Sequence, residues 1–155
     1  MSLRADILDS GHSQVKSASI LINAPASKIF NLLADPKMHS VIDGSRSVQG
    51  VLKAPERLSL GAKFGMDMKL GIKYRVTNTV VEFEESRLIA WRHFGRWVWR
   101  YELKEISPDQ TLVTESFDGR PSPFQWWLNT RKAYGHAQKA VAKTLVRLKQ
   151  EIESH

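Results

Sequence analysis

The sequence predicts an α+β fold in which a curved antiparallel sheet of about seven strands is covered by a long C-terminal helix. Between residues 47 and 117, apolar and polar side chains alternate with a period of two, as in strands with one buried face. The connections in this region are too short for parallel neighbours, which need about a dozen residues or more. From residue 123 onward the apolar period becomes helical.

The chain of 155 residues has the length of one domain. Residues 1–14 show no sustained period, and we predict a flexible lead-in there. Residues 15–153 are predicted to form a single domain. It begins with a strand, Val15–Ile22, which two short helices follow. Proline follows Ala24 and Asp35, and proline is tolerated in the first turn of a helix because its missing N–H has no partner there.

The alternating pattern predicts six further strands. Turn-forming residues separate them, among them Leu70-Gly71 and Gly95-Arg96. Since each separator is short, the strands are expected to follow one another as an antiparallel meander. Their predicted bounds are Ser47–Lys53, Ala62–Lys69, Ile72–Glu84, Arg87–Phe94, Trp97–Ile106 and Thr111–Phe117.

The C-terminal segment, Phe124–Glu153, is predicted to be one helix. Its length of roughly 45 Å exceeds the width of a small domain. Gly135 interrupts the helical pattern and predicts a bend or a close approach. Because a straight helix cannot touch a curved sheet everywhere, the gap between them predicts an apolar ligand pocket. The apolar stripe expected to face the sheet consists of Trp127, Tyr134, Val141, Leu145, Leu148 and Ile152.

Composition limits the class of protein. The chain has no cysteine, which excludes disulfides, thiol nucleophiles and zinc sites built from cysteine. No apolar run approaches the ~20 residues of a membrane span, and the N-terminus lacks the apolar core of a signal peptide. We therefore predict a cytoplasmic protein without a transmembrane segment. The net charge of +7 raises nucleic acid or an anionic membrane as partners. The basic residues are spread along the chain, and we expect no specific binding of nucleic acid.

Strong catalytic motifs are absent from the sequence. It has no glycine-rich phosphate loop, no G-x-S-x-G and no H-E-x-x-H. The five histidines are too scattered for their spacing to suggest a metal site. We therefore expect no metal and no cofactor.

Several short stretches occur in an order that carries a family resemblance. Ile22-Asn23-Ala24-Pro25 leads into an apolar helix face, and Asp35-Pro36 follows it. Later stretches continue the pattern: Val80–Phe83, Arg87–Arg92, Thr111–Asp118 and Thr144–Lys149. Together, over about residues 15–152, they resemble the START-like (SRPBCC) superfamily, and more narrowly its polyketide cyclase/dehydrase-like branch.

The resemblance implies the helix-grip fold and a cavity, with much less about chemistry. The superfamily includes lipid and hormone carriers, aromatic polyketide cyclases, hydroxylase subunits and ligand-sensing stress regulators. Its members share no universal catalytic triad, so the name of the branch does not establish an activity.

Aromatic residues along one strand are the first candidates for ligand binding. Trp97, Trp99 and Tyr101 alternate with largely charged neighbours, so one face of the strand is aromatic. These rings either pack as an ordinary core or line a pocket for an aromatic or isoprenoid-like ligand. Trp126 and Trp127 begin the long helix and are candidates for a lid. Adjacent helix positions point about 100° apart, so only one of the two can face inward.

The remaining ligand candidates come from other faces. Phe64, Met66 and Met68 share one face of a strand, and flexible methionines suit either an adaptable pocket or an ordinary core. On the inward stripe of the long helix, Arg131 and Tyr134 are candidates for binding a ligand carboxylate or carbonyl. The alternative for Arg131 is that its stem packs on the sheet while its charge reaches solvent.

Two polar residues on apolar faces are weak candidates for catalysis. Glu115 shares its strand face with apolar residues, and a buried carboxyl has a raised pKa that suits a general acid or base. The alternatives are a salt bridge to Arg100 or Arg92, or an outward placement. His93 lies on the same strand face as Trp91, which is also a candidate for ligand binding. The alternative for His93 is an ordinary histidine of the core or its rim.

Three functions remain open on the sequence. The first is a carrier or binding module for a small hydrophobic or aromatic molecule, held between the sheet and the C-terminal helix. The second is a cyclase or dehydratase that uses a polar group of the same cavity without a metal. The third is an interaction domain that uses its basic surface. A homodimer is left open.

Overall fold

The computed structural model describes residues 4–45 and 47–154 and confirms the predicted α+β helix-grip architecture. The strands of this part are β1 (Asp6–Leu8), β2 (Val15–Ile22), β3 (Val48–Lys53), β4 (Lys63–Leu70), β5 (Ile72–Glu84), β6 (Leu88–Arg92), β7 (Val98–Ser107) and β8 (Gln110–Asp118). They form one antiparallel sheet in the order β1-β2-β8-β7-β6-β5-β4-β3. The meander from β3 to β8 is therefore sequential, and β2 closes against its last strand.

The connection between β2 and β3 contains α1 (Ala26–Leu33), a 3₁₀ turn (Pro36–Met38) and α2 (His39–Ile42). After β8 follow the short α3 (Gln125–Thr130) and the longer α4 (Ala133–Glu153). No helix within the described ranges is both long and apolar enough to cross a membrane.

The sheet has one strand more than the sequence predicted. Residues 6–8, inside the segment predicted as a flexible lead-in, form β1 on the edge of β2. Residues 1–3 of that segment lie outside the described residues. The other edge strand, β3, pairs with β4 in a register that shifts between Val48 and Gly50 and again between Val51 and Lys53.

The turn between β6 and β7 begins earlier than predicted. The alternating pattern extended to Phe94, but β6 ends at Arg92. The backbone N–H of Arg96 donates to the carbonyl of His93 at 3.0 Å, and Arg96 adopts a left-handed conformation with φ of 63°. This tight turn removes His93 and Phe94 from the ladder.

The apolar stripe of α4 lies on β2 and β8. Val141, Leu145 and Leu148 are completely buried there. Near the end of the helix, the ammonium group of Lys149 donates to the carbonyl of Leu21 at 2.7 Å and to the carboxylate of Glu153 at 2.5 Å. The face of the sheet toward α4 is called the inner face below.

The C-terminal segment is two helices, so the prediction of one unbroken helix was wrong. The break lies at Lys132, which is left-handed with φ of 53°. Gly135, the predicted bend, lies inside α4, and the position that a Cβ would take there is open space. Packing explains the break: the Tyr134 ring approaches Gly119 so closely that a Cβ on Gly119 would overlap it. The chain must turn before Tyr134 to place the ring there.

The buried stripe of α4 predicts a large cost for Leu145→Ala. We expect a loss of about 2–5 kcal/mol in the free energy of unfolding, because methyl groups are deleted from the contact between helix and sheet. Chemical denaturation measures it. A loss under about 0.5 kcal/mol, the usual size of a surface change, would contradict the burial of this stripe.

A second prediction concerns the approach of α4 to the loop after α2. A Cβ at Gly44 would come 2.5 Å from the Cβ of Lys143 and 2.6 Å from the backbone nitrogen of Thr144. Gly44→Ala should therefore cost about 1–3 kcal/mol of unfolding free energy through overpacking. Gly50→Ala is the matched control, since nothing lies within 4 Å of a Cβ there. Equal denaturation midpoints for the two variants would contradict the close approach.

Candidate functional site

The buried carboxyl of Glu115 is the centre of the candidate site. Alternation along β8 turns this side chain to the inner face, where its neighbours across the ladder are Ala18 and Tyr101. Glu115 is 3% exposed, and its Oε1 has no hydrogen-bond partner among the described residues. A buried polar atom without a partner is uncommon in proteins and calls for an explanation.

Burial sets the protonation of this carboxyl. It raises the pKa of Glu115 well above the ordinary value of 4.5, and the negative charge of Asp43 raises it further. The hydrogen-bonding effect of the Tyr101 hydroxyl opposes this rise but is smaller than the effect of burial. Burial and the Glu115 carboxyl also raise the pKa of Tyr101. Both groups are therefore favoured in their neutral, protonated forms.

The arginines considered as ion-pair partners of Glu115 lie on the opposite face of the sheet. Arg100 binds Glu82 at 2.6 Å and Asp118 at 3.4 Å. Arg92 occupies the same outer face, since it pairs with Val98, which in turn pairs with Asp118. Glu115 is consequently placed inward without a cation from either arginine.

His39, which the sequence did not single out, lies beside this group. Its ring stacks on Trp91 with centroids 4.5 Å apart, and Nε2 is 2.9 Å from the carbonyl oxygen of Leu33. Burial lowers the pKa of His39, although the carbonyl and nearby carboxylates oppose it. The sequence has no clear signal for this residue, because α2 has only four residues, too few for a periodic pattern.

Five of the predicted ligand residues lie on the inner face, where Phe64 and Trp91 contact His39 and Tyr101 lies beside Glu115. Phe64 and Trp91 meet edge to face at 5.7 Å, and Trp91 lies 5.6 Å from Tyr101. Met66 is buried on the same strand as Phe64, while Met68 is half-buried nearer to solvent. The set forms a mostly apolar wall with a neutral carboxyl in it.

A second group of predicted residues lies at the end of the sheet where β6 joins β7. The Trp97 ring stacks on Trp127 at 5.7 Å with an interplanar angle of 4°, and it meets His93 edge to face at 4.7 Å. Trp97 covers Gly95 so closely that a Cβ there would overlap the ring. Burial lowers the pKa of His93 to about 4, and its Nδ1 accepts a hydrogen bond from the Gly95 N–H at 3.0 Å. His93 does not reach Glu115.

Phe117 lies between the two groups: its ring is 6.5 Å from Trp97, and Trp99 beside it pairs with Trp91 across the ladder. Trp99 and Tyr134 both meet Phe117 edge to face, at 4.8 Å and 5.7 Å. The Tyr134 hydroxyl donates to Gln125 Oε1 at 2.7 Å, which ties α4 to α3. Arg131 is exposed at the end of α3 and joins neither group.

Two surface grooves are also present, and the predicted ligand residues line neither. One of about 650 Å³ lies between the start of α1 and the outer side of β7, with Arg87 and Lys104 in its wall. The other, of about 680 Å³, is formed by α4, the N-terminal segment and the loop at Gly44. Within the described ranges, no group of three or more metal-ligating side chains is found.

Comparison with known proteins places the chain in a family. Residues 14–153 match the family described as "Polyketide cyclase / dehydrase and lipid transport". An uncharacterized protein of Mycobacterium tuberculosis, Rv0088, is 41% identical over 113 residues, which cover 72% of this chain and 50% of that protein. The chain thus spans about half the length of the curated relatives it matches.

Solved structures share the fold at low sequence identity. Protein Ms6760 of Mycobacterium smegmatis is 15% identical with a TM-score of 0.71, covering 97% of this chain and 98% of that one. The Zhui aromatase/cyclase of Streptomyces sp. R1128 is also 15% identical, with a TM-score of 0.64 over 90% of this chain and 93% of that chain. Since the family match spans nearly all of the sequence, the chain belongs to the polyketide cyclase/dehydrase and lipid transport family.

Proposed function

We propose that the protein binds a small apolar or aromatic molecule that carries a carbonyl or hydroxyl oxygen, between the inner face of the sheet and its helices. The observation that carries the proposal is the buried Oε1 of Glu115, which lacks a partner among the described residues. Leaving such a group unpaired costs about 1–3 kcal/mol. A ligand oxygen would satisfy it.

The neutral state of Glu115 decides which ligand atom suits it. A protonated carboxyl has one O–H donor, and a carbonyl oxygen in an apolar surrounding is a good acceptor for it. A charged ligand would bring a second desolvation cost into the same wall. The chemistry therefore favours a neutral, oxygen-bearing ligand over a carboxylate.

The wall around Glu115 suits an aromatic ligand. Phe64 and Trp91 present ring edges and faces, and Met66 and Met68 are flexible enough to adjust to different shapes. The wall continues to half-buried Met68, which gives a route toward solvent at the end of the sheet. Entry requires these side chains to shift, because the rings now contact one another. The family description and the fold shared with an aromatase/cyclase support a small-molecule site of this kind.

A cyclase or dehydratase activity is the second candidate, and the same carboxyl favours it. A neutral carboxylic acid with a raised pKa can protonate a leaving hydroxyl, and the Tyr101 hydroxyl beside it can hold the neighbouring oxygen. If so, Glu115→Gln should abolish turnover while ligand binding persists. If the native protein binds the ligand but does not turn it over, the result supports the carrier function.

A matched pair of probes tests the oxygen-binding wall. 2-Acetylnaphthalene and 2-isopropenylnaphthalene have nearly the same shape, but only the first has a carbonyl oxygen. We expect the ketone to bind about 2- to 13-fold more tightly, the net value of one hydrogen bond. Tryptophan fluorescence titration measures both dissociation constants.

Variants show whether Glu115 is the source of that preference. Glu115→Leu should bind both probes equally, while Glu102→Gln, an exposed glutamate on β7, should keep the native preference. If neither probe gives a saturable change in fluorescence or melting temperature, or if Glu115→Leu still prefers the ketone, the proposal fails.

The protonation of Glu115 predicts a pH dependence of stability. A folded-state pKa raised above the unfolded value means that the stability from neutral Glu115 is present below about pH 4.5 and is lost as pH rises toward the folded pKa. Glu115→Gln stays neutral and lacks this loss. The unfolding free energy of the native protein, relative to Glu115→Gln, should fall above pH 4.5 by up to about 1.4 kcal/mol per pH unit.

Glu82→Gln is the control of opposite sign. Hydrogen bonds from Arg100 lower the pKa of Glu82 in the folded protein. The stability that ionised Glu82 contributes is therefore present above the pKa of the unfolded chain and is lost as pH falls through the folded pKa. Denaturation at a series of pH values measures both differences. A native-minus-variant difference for Glu115→Gln that stays flat with pH would show that Glu115 is not held neutral.

A further inference from the structure

We propose that one end of the sheet docks the protein onto a membrane surface containing anionic lipids. This end, called the aromatic end, comprises the turn His93–Trp97 and the segment Gly119–Lys132. The proposal does not rest on ligand binding at Glu115.

The aromatic end carries the large exposed aromatic side chains of the described residues. Phe94 is 75% exposed and Trp126 is 78% exposed. Phe124 and Trp127 are exposed beside them. Clustered apolar side chains at a surface mark an interaction site, and tryptophan in particular prefers the interface between lipid and water.

The two segments of the aromatic end are held together by packing. Val98, the first residue of β7, pairs with Asp118, the last residue of β8, so the segments start side by side. The stacking of Trp97 on Trp127 then joins them. The exposed rings are therefore presented as one surface rather than on two independent loops.

The charge of this surface fits an anionic partner. The sequence has no aspartate or glutamate from residue 86 to 101 or from residue 119 to 150. Arg96, Arg131 and Lys132 are exposed and form no salt bridge with any residue in the described part of the chain. Basic residues beside interfacial aromatics are attracted to the negative potential of anionic lipids.

Backbone conformation is a second observation that supports a role for the basic side chains at this surface. Arg96 and Lys132 both adopt positive φ, a conformation that glycine adopts without strain and that other residues rarely adopt. At both turns of the aromatic end, the chain carries a basic side chain where backbone geometry alone favours glycine.

The opposite end of the sheet carries paired charges. Glu84, the last residue of β5, binds Arg87, and Glu85 binds Arg57, while Asp109 lies between β7 and β8. Because these acidic and basic side chains offset one another, a negative surface attracts the aromatic end more strongly than this one. The β4–β5 hairpin extends in the same direction as the aromatic end, with exposed Ile72 flanked by Lys69 and Lys73.

Single-stranded nucleic acid is the competing partner for basic and aromatic residues. It binds by stacking bases on free ring faces. Here Trp97 and Trp127 are stacked on each other, so one face of each ring is already covered. The arrangement favours insertion of ring edges into lipid.

Vesicle flotation tests the proposal with the whole chain. Vesicles of phosphatidylcholine with phosphatidylserine should bind the protein, and vesicles of phosphatidylcholine alone should bind it much less. Added salt should weaken the binding. Brominated lipids should quench the fluorescence of Trp126, so the quenching should fall in Trp126→Ser. An oligo(dT) competitor should not release the protein.

Apolar variants at the two ends supply the matched comparison. Phe94→Ser with Trp126→Ser should lower the partition coefficient at least tenfold. Ile106→Ser removes a side chain that is 52% exposed at the opposite end, beside the turn between β7 and β8, and should leave binding unchanged. Circular dichroism and melting temperature check that each variant folds.

Glycine substitutions separate charge from folding. Arg96→Gly with Lys132→Gly relieves both left-handed positions, so the fold should persist, while vesicle binding should fall about fivefold for each charge removed. Ser86→Gly is the control, since Ser86 also has positive φ but lies at the opposite end of the sheet. Glu115→Gln should bind vesicles as the native protein does. Failure of ligand binding at Glu115 can therefore be distinguished from failure of membrane binding.

Three outcomes would overturn the proposal. One is the absence of binding to anionic vesicles, or equal binding to both vesicle types. Another is equal loss in the variants of the two ends. The third is release of the protein from vesicles by oligo(dT), together with tighter binding of oligo(dT) than of vesicles. If the Phe94→Ser, Trp126→Ser double variant also loses oligo(dT) binding, the surface would be assigned to nucleic acid.

Discussion

The seating of α4 on β2 and β8 is the contact on which the rest of the structure depends. An antiparallel sheet must have one face covered, and α4 supplies the longest apolar stripe available to cover it. Because a straight helix follows only part of a curved sheet, the inner face over β3 and β7 is left to α1 and α2. The Glu115 and His39 groups lie where these two covers meet the sheet.

Glu115 lies on the inner face of β8, one of the two strands that α4 covers, and the buried face of α4 is mostly apolar. At Glu115, the phenol of Tyr101 lies beside it and burial keeps the carboxyl neutral, which is cheaper than burying a charge. The remaining unpaired oxygen still disfavours folding. Proteins that retain such a defect commonly do so for function.

Local patterns were sufficient to predict most of the fold. The period of two located the strands from β3 to β8, and short turns implied their antiparallel order. Alternation put Glu115 on the same strand face as apolar residues, but left an outward placement open. These features depend on neighbours along the chain, so a single sequence contains the information.

The features that were missed depend on distant contacts. The break at Lys132 is set by the packing of Tyr134 over Gly119, and the sequence offered Gly135 as the more obvious bend. His39 lies in a helix of four residues, too short for a periodic signal, and its burial comes from Trp91 and Phe64. The division of the aromatic residues into a buried wall and an exposed end also follows from tertiary structure alone.

The two edges of the open sheet bear on how the protein behaves at high concentration. An unpaired edge strand is a template for strand addition from another chain, and proteins limit this with short or irregular edges. Here β1 offers only three residues, and the register of β3 shifts twice along its length. Neither edge presents a long, regular row of free amide and carbonyl groups. The same irregularities that complicate the ladder therefore protect the chain against aggregation through its sheet.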